Sequence, residues 1–174
     1  MKRLELIAMI NEKYPQFVLP DFLVVGIRGY YKKSMGNPTS NDRMIYDDAI
    51  FLLHKNGLSA YNANVDPGAF RKGIANLNPG IWPVYKFSKH NGQYLALCQR
   101  AGNVTVTRDN QGSDTGSFGI NIHKGGIYAV SSLGCQTIPR TQWQDFITEA
   151  QELARQYHGD DFMKKVYTYV LLND

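Results

Sequence analysis

Apolar positions at Leu4, Leu6, Ile7 and Ile10 fall near one face at helical spacing, and predict a short amphipathic helix over 2–13 that stops before Pro15 and packs outside a sheet. The pattern then shifts to strand-like runs. FLVVGIRGYY (22–31) predicts a buried strand, and KKSMGNPTSND a surface loop able to cover a cleft. The stretch RMIYDDAIFLLHKNGLSAYNANVDPG predicts two strands joined at Asn56-Gly57, a dipeptide suited to the positive backbone angles of a tight hairpin, with Asp66-Pro67-Gly68 closing the unit. Further strands are predicted at 82–87, 93–99, 103–108, 118–123 and 126–130, punctuated by His90-Asn91-Gly92 and by Asp109-Asn110-Gln111-Gly112. Trp143, Phe146, Ile147, Ala150, Leu153, Ala154 and Tyr157 recur at helical spacing, so 141–157 predicts a helix laid over the sheet and stopped at Gly159. KKVYTYVLL (164–172) alternates and returns as a final strand. The expected fold is α+β: a mainly antiparallel twisted sheet or partly closed β-barrel with flanking helices, in one domain over 1–174, with no repeat or linker.

Composition supports this picture more than it changes it. The 174 residues suffice for a core without disulfides, and the 16 Gly and 11 Tyr suit strands and turns better than a helical bundle. The net charge of +4 attracts polyanions, yet the basic residues are scattered, as at Arg28, Lys32, Lys33, Arg71, Lys72, Lys86 and Lys89. No nucleic-acid partner is expected. The start MKRLELIAMINEKY has its apolar run broken by Glu5 and Glu12 and reads as a helix, not a signal peptide. No apolar stretch reaches the roughly 18 residues of a membrane span. A protein made in the cytoplasm is expected, one that needs delivery by other means if its substrate lies outside.

Candidate chemistry concentrates in GINIHKGGIYAVSSLGCQTIP. Cys98, in the apolar run YLALCQ, reads as a small buried hydrophobe, whereas Cys135 follows Gly134 in a turn that gives a thiol exposure. His123, at the end of the preceding predicted strand, is placed to take the thiol proton, and amides near Gly134 are candidates for an oxyanion hole. Taken singly, Cys135 is equally a buried thiol and His123 a strand-end histidine. His54 and His158 read as surface residues. His90 could reach substrate from its turn, and Arg108-Asp109 is either a surface pair or a substrate contact. Tyr30, Tyr31, Tyr94 and Trp82 read first as sheet packing, with one exposed ring able to stack on a sugar. No metal-ligand spacing occurs, HKGG leads into a strand and not a helix, and no cofactor is expected.

The order of His before Cys, carried by Ile122-His123, Gly125 or Gly126, and Ser132, Gly134 and Cys135, resembles the L,D-transpeptidase (YkuD-type) catalytic domain. The likeness is tight over 118–136 and looser elsewhere. It departs from the family at Leu133, where a His is usual, in a shorter His-to-Cys interval, and at Gln136, where an Arg is usual. The longer pattern of DPG (66–68), GQYLAL (92–97) and Arg108-Asp109 also resembles small phage, prophage or secreted-effector proteins with this core. The resemblance implies a Cys135 thioester on peptidoglycan stem peptides, with His123 as base. It implies orienting or oxyanion roles for Lys124, Gly125, Ser131, Ser132 and Gly134, and substrate contacts from Arg108, Tyr94, Gln136 and Arg140. Hydrolysis as an L,D-carboxypeptidase or endopeptidase is favoured over cross-linking. It further implies action in the periplasm or wall after holin- or injection-dependent delivery, with delivery machinery and an immunity protein as partners. A non-catalytic wall-binding or virion module with the same fold, or a cysteine peptidase or amidase on another substrate, are the rivals.

Overall fold

Alternation along FLVVGIR sets the layers of the protein, whose computed structural model describes residues 1–174. In strand β1 (Phe22–Arg28), Phe22 and Val24 enter one apolar core while Leu23, Val25 and Ile27 enter a second on the opposite face. Helix α1 (Arg3–Lys13) closes the second core with Leu6 and Ile10, both fully buried. Leu4, expected on that face, is 72% exposed. After β1 come a single helical turn, α2 (Lys32–Met35), then β2 (Asp48–His54), β3 (Gly57–Ala63), β4 (Ala75–Leu77), β5 (Gly80–His90), β6 (Tyr94–Gln99), β7 (Val104–Arg108) and β8 (Gly112–Gly116). The chain continues through β9 (Ile122–Lys124), β10 (Gln136–Ile138), α3 (Arg140–His158), a 3₁₀ segment (Gly159–Lys164) and β11 (Tyr167–Asn173).

Eight strands form one sheet in the order β10-β9-β6-β5-β11-β1-β2-β3, and β4-β7-β8 form a smaller one. The outermost strands of the large sheet approach each other: Asn64, just past β3, exchanges backbone hydrogen bonds with Thr137 of β10 at 2.9 and 2.8 Å. The result is an α+β fold around a nearly closed, barrel-like sheet. The larger core lies within it, filled by Trp143, Phe146 and Ala150 of α3 and by Ala75, Leu77, Val104 and Val106 of the small sheet. No helix is long and apolar enough to cross a membrane.

The topology corrects the expected run of antiparallel strands. β11 is inserted beside β1 in parallel, and β9 and β10 form a second parallel pair. The first hairpin turns at Lys55-Asn56, since His54 pairs with Gly57, and neither Asn56 nor Gly57 has a positive φ. Gly57 is needed for close approach instead: a Cβ there would lie 2.5 Å from Nε2 of His54. Of the predicted strand 118–123, only its end forms one, because the Phe118 and Ile120 amides donate to Oε1 of Gln99 and not to a neighbouring strand. The predicted strand 126–130 is absent. The edge it would need is taken by β10, and Ile127 and Tyr128 project outward, 70% and 98% exposed. β4, β8 and β10 fall in segments the pattern marks as loops or turns; three to five residues carry too little alternation to be recognised.

Candidate active site

The parallel pair β9-β10 brings the two residues of the sequence motif together. Gln136 faces Ile122 and Thr137 faces His123, so Cys135 stands one step earlier, opposite Asn121. Alternation then puts Asn121 and His123 on the same side as Cys135 and Thr137. The Cys135 sulfur accepts from the Asn121 amide at 3.4 Å, and its S–H donates to the Gly119 carbonyl at 3.3 Å. No hydrogen bond joins Cys135 to His123 in this state.

His123 is buried, 6% exposed. Its Nδ1 lies 2.8 Å from the Lys124 carbonyl, which can only accept, so Nδ1 carries the proton and Nε2 is left as the basic nitrogen. Of the two carbonyls proposed to orient the ring, Lys124 does so. Gly125 instead gives room to the Tyr46 hydroxyl, with which a Cβ would collide. The Tyr94 hydroxyl lies 3.4 Å from both Nδ1 and the Lys124 carbonyl, and its ring carries Nζ of Lys124 at 4.5 Å. Tyr94 thus braces the histidine from the side of α3, against Trp143.

Two residues missing from the sequence motif complete this side. The His90 ring stacks on His123 with centroids 4.0 Å apart and planes 19° from parallel. Asn121 joins the stack to the thiol: its Oδ1 accepts from the Gln99 amide at 3.0 Å, which turns its NH₂ toward Nδ1 of His90 at 3.1 Å. Nδ1 of His90 is therefore an acceptor, and that ring is neutral with its proton on Nε2. Burial and then the neighbouring His90 push the His123 pKa down to about 4, against a smaller opposing effect of the Lys124 carbonyl. Burial pushes the Cys135 thiol up, partly offset by the Asn121 amide. At neutral pH the pair is thiol and imidazole, not thiolate and imidazolium. The only advance signals for these residues were the spacing of Asn121 two residues before His123 and the His90-Asn91-Gly92 turn.

The turn before Cys135 is built by its own side chains. Ser132 Oγ donates to the Cys135 carbonyl at 2.5 Å and accepts the Gly134 amide at 3.1 Å. Gly134 has φ 149°, and a Cβ there would lie 2.9 Å from the Ala75 carbonyl. Ser132 thus engages the Gly134 amide expected at an oxyanion hole, and the Leu133 and Cys135 amides are the ones at the turn left without a hydrogen-bond partner. Ser131 is exposed with φ 53° and donates to the Ala129 carbonyl at 3.4 Å, away from the sulfur. Gln136, expected on the substrate side, is fully buried: its Oε1 accepts from Tyr169 at 3.1 Å and its Nε2 donates to the Gly134 carbonyl at 3.4 Å. A strand that runs inward from Cys135 turns the next side chain into the core. Arg140 opens α3 and is exposed, near enough for its charge to act on Tyr94.

Cys135 opens onto a cleft of about 590 Å³ lined by Gly119, Ile120, Gly134, Leu133, Phe118 and the basic residues Arg71, Lys72 and Arg108. His123 does not line it. Cys135 forms the boundary between the cleft and the His90-Asn121-His123-Tyr94 group. Arg108, expected to meet substrate, does line the cleft, but its guanidinium is held by Asp114 at 2.7 Å and the Gly73 carbonyl at 2.9 Å, over the Phe118 ring. Histidine, cysteine and carboxylate side chains form no cluster of three able to hold a metal ion. Comparison with protein-family models, curated proteins and solved structures returns no match.

Proposed function

We propose that the chain is a divergent L,D-transpeptidase-like cysteine enzyme, one catalytic domain that opens peptidoglycan stem peptides through a Cys135 thioester. The observation that carries this reading is the parallel pair placing His123 and Cys135 on one face, with Nδ1 of His123 committed to the Lys124 carbonyl and Nε2 free. As substrate enters, the thiol proton passes from Sγ to Nε2 of His123, and the sulfur attacks the acyl carbon. The Cys135 N–H receives the developing oxyanion. Collapse breaks the C–N bond, and the imidazolium returns its proton to the leaving amine. Water then hydrolyses the thioester, or a second amine takes the acyl group.

Because His123 and Cys135 are both neutral, the enzyme activates the thiol only when the S–H turns from the Gly119 carbonyl toward the imidazole. Hydrolysis is the favoured outcome, with action in the periplasm or wall after delivery. Purified muropeptides test the reading: mass spectrometry is expected to show loss of a terminal D-amino acid or a split cross-link. No change at high protein concentration refutes it. One observation favours the non-catalytic rival, a wall-binding or virion module: the thiol proton is engaged by Gly119 and its pKa is raised. In that case the same incubation shows binding to wall sacculi without turnover.

A further inference from the structure

Gln99, at the end of β6, is 1% exposed, and both donors and both acceptor positions of its carboxamide are engaged. Nε2 donates to the Gly102 carbonyl at 2.9 Å and to the Gly116 carbonyl at 3.0 Å. Oε1 accepts the Phe118 amide at 3.2 Å and the Ile120 amide at 3.0 Å. Carbonyls facing the nitrogen and N–H groups facing the oxygen fix which way the carboxamide points. One glutamine side chain thus holds the segment 118–120, which lies outside every strand.

The same segment reaches the sulfur of Cys135. A trans peptide points its N–H and its C=O in opposite directions. With the Ile120 N–H committed to Gln99, the Gly119 carbonyl of that peptide is aimed away from Gln99, and there it takes the Cys135 S–H at 3.3 Å. Gly119 has φ 72°, and no atom lies within 4 Å of where a Cβ would stand, so this glycine serves the backbone angle and not close packing. The Asn121 amide donates to the sulfur at 3.4 Å, and Asn121 is tied through its Oδ1 to the backbone N–H of Gln99 at 3.0 Å, independently of the carboxamide. The two contacts act oppositely: a carbonyl on the S–H favours the thiol, and an N–H on the sulfur favours the thiolate.

We propose that Gln99 is a positioning residue for Cys135, a latch that turns the Gly119 carbonyl onto the S–H and keeps the thiol protonated at rest. Phe118, Gly119 and Ile120 also line the cleft, so the same carboxamide holds the cleft wall and the thiol. On the cysteine-enzyme reading, on which the consequence for turnover rests, the S–H must leave Gly119 for Nε2 of His123 before the sulfur attacks. The latch itself is measurable without that reading.

Alkylation of Cys135 by iodoacetamide across pH reads the latch, because the thiolate is the species that attacks. Gln99→Met fills similar space without an acceptor, releasing the Gly119 carbonyl while the Asn121 amide stays. Near neutral pH its Cys135 is expected to react about three- to tenfold faster than in the native protein, on a profile displaced to lower pH, while Cys98 stays unreactive. Gln99→Glu keeps an acceptor for both amides and should show no rise. A merely structural role predicts instead that both variants speed Cys135 and Cys98 together. An unchanged or slower Cys135 in Gln99→Met, or a rise shared with Gln99→Glu or with Cys98, overturns the proposal. Hydrogen exchange in the native protein covers the case in which Gln99→Met does not fold. The Phe118 and Ile120 amides have the Gln99 carboxamide as their hydrogen-bond partner and should be protected at least about 10²-fold; exchange at the rate of exposed amides overturns the latch. If no muropeptide is turned over, the proposed function fails while alkylation and exchange still decide this point.

Discussion

The two cysteines belong to the same end of the large sheet, one in β6 and one just before β10, with β9 between those strands, yet their surroundings are opposite. Cys98 lies within β6, fully buried, its S–H directed at the Ser88 carbonyl at 3.5 Å and its thiol pKa pushed up by burial. Cys135 lies just ahead of β10, half-buried, between the Gly119 carbonyl and the Asn121 amide, with a cleft on one side. Both pKa values are raised by burial, so acidity does not separate them. What separates them is access and a neighbouring base: strand β6 is paired on both sides, whereas the crossover into β10 leaves Cys135 at the sheet's end.

The strongest way to break this contrast is to remove each sulfur in turn. Cys135→Ala is expected to lower muropeptide turnover by about 10⁴-fold or more, while Cys98→Ala retains it; equal losses would erase the distinction. His123→Gln should cost roughly 10²- to 10⁴-fold through loss of the base, measured by the same assay. Modification sharpens the contrast independently of substrate: iodoacetamide followed by peptide mass mapping should label Cys135 in the folded protein. Cys98 should react at least about 10³-fold more slowly, because it needs unfolding.

The depressed pKa of His123 gives two pH signatures. Turnover should keep its acid limb near pH 4, where the imidazole finally takes a proton, and not near the ordinary value of 6.5. The unfolded state binds the proton first, so stability is full above about 6.5 and falls as pH drops toward 4, by on the order of 3 kcal/mol. Urea melts of the native protein and of His123→Gln should show this slope present and then flattened. The smallest effect is expected from His90→Phe, which keeps a ring on His123 but strands the Asn121 NH₂. It should cost about 1–2 kcal/mol of stability and move the acid limb upward, as removal of a neighbouring titratable ring requires.

Long periodic segments were legible in the chain. The heptad-like spacing of Trp143 to Ala154 gave α3 with its stop at Gly159, whose φ is 69°, and alternation gave β1, β5, β6 and β7. Short segments were not. IYAV has the alternation of a strand but no free edge to pair with, and QTI is a strand only because Ile122-His123-Lys124 lies beside it.

The candidate site divides along the same line. Residue types and spacing by themselves determined which thiol sits in a glycine turn and which histidine precedes it on a strand, because exposure and local geometry follow from neighbours in sequence. Only the tertiary structure decided that His90 stacks on His123, that Asn121 ties that ring to the sulfur, that Gln136 faces the core and that Arg71 and Lys72 overlook the cleft. Those contacts join segments far apart in the chain, and no local pattern encodes which distant strand a three-residue segment will meet.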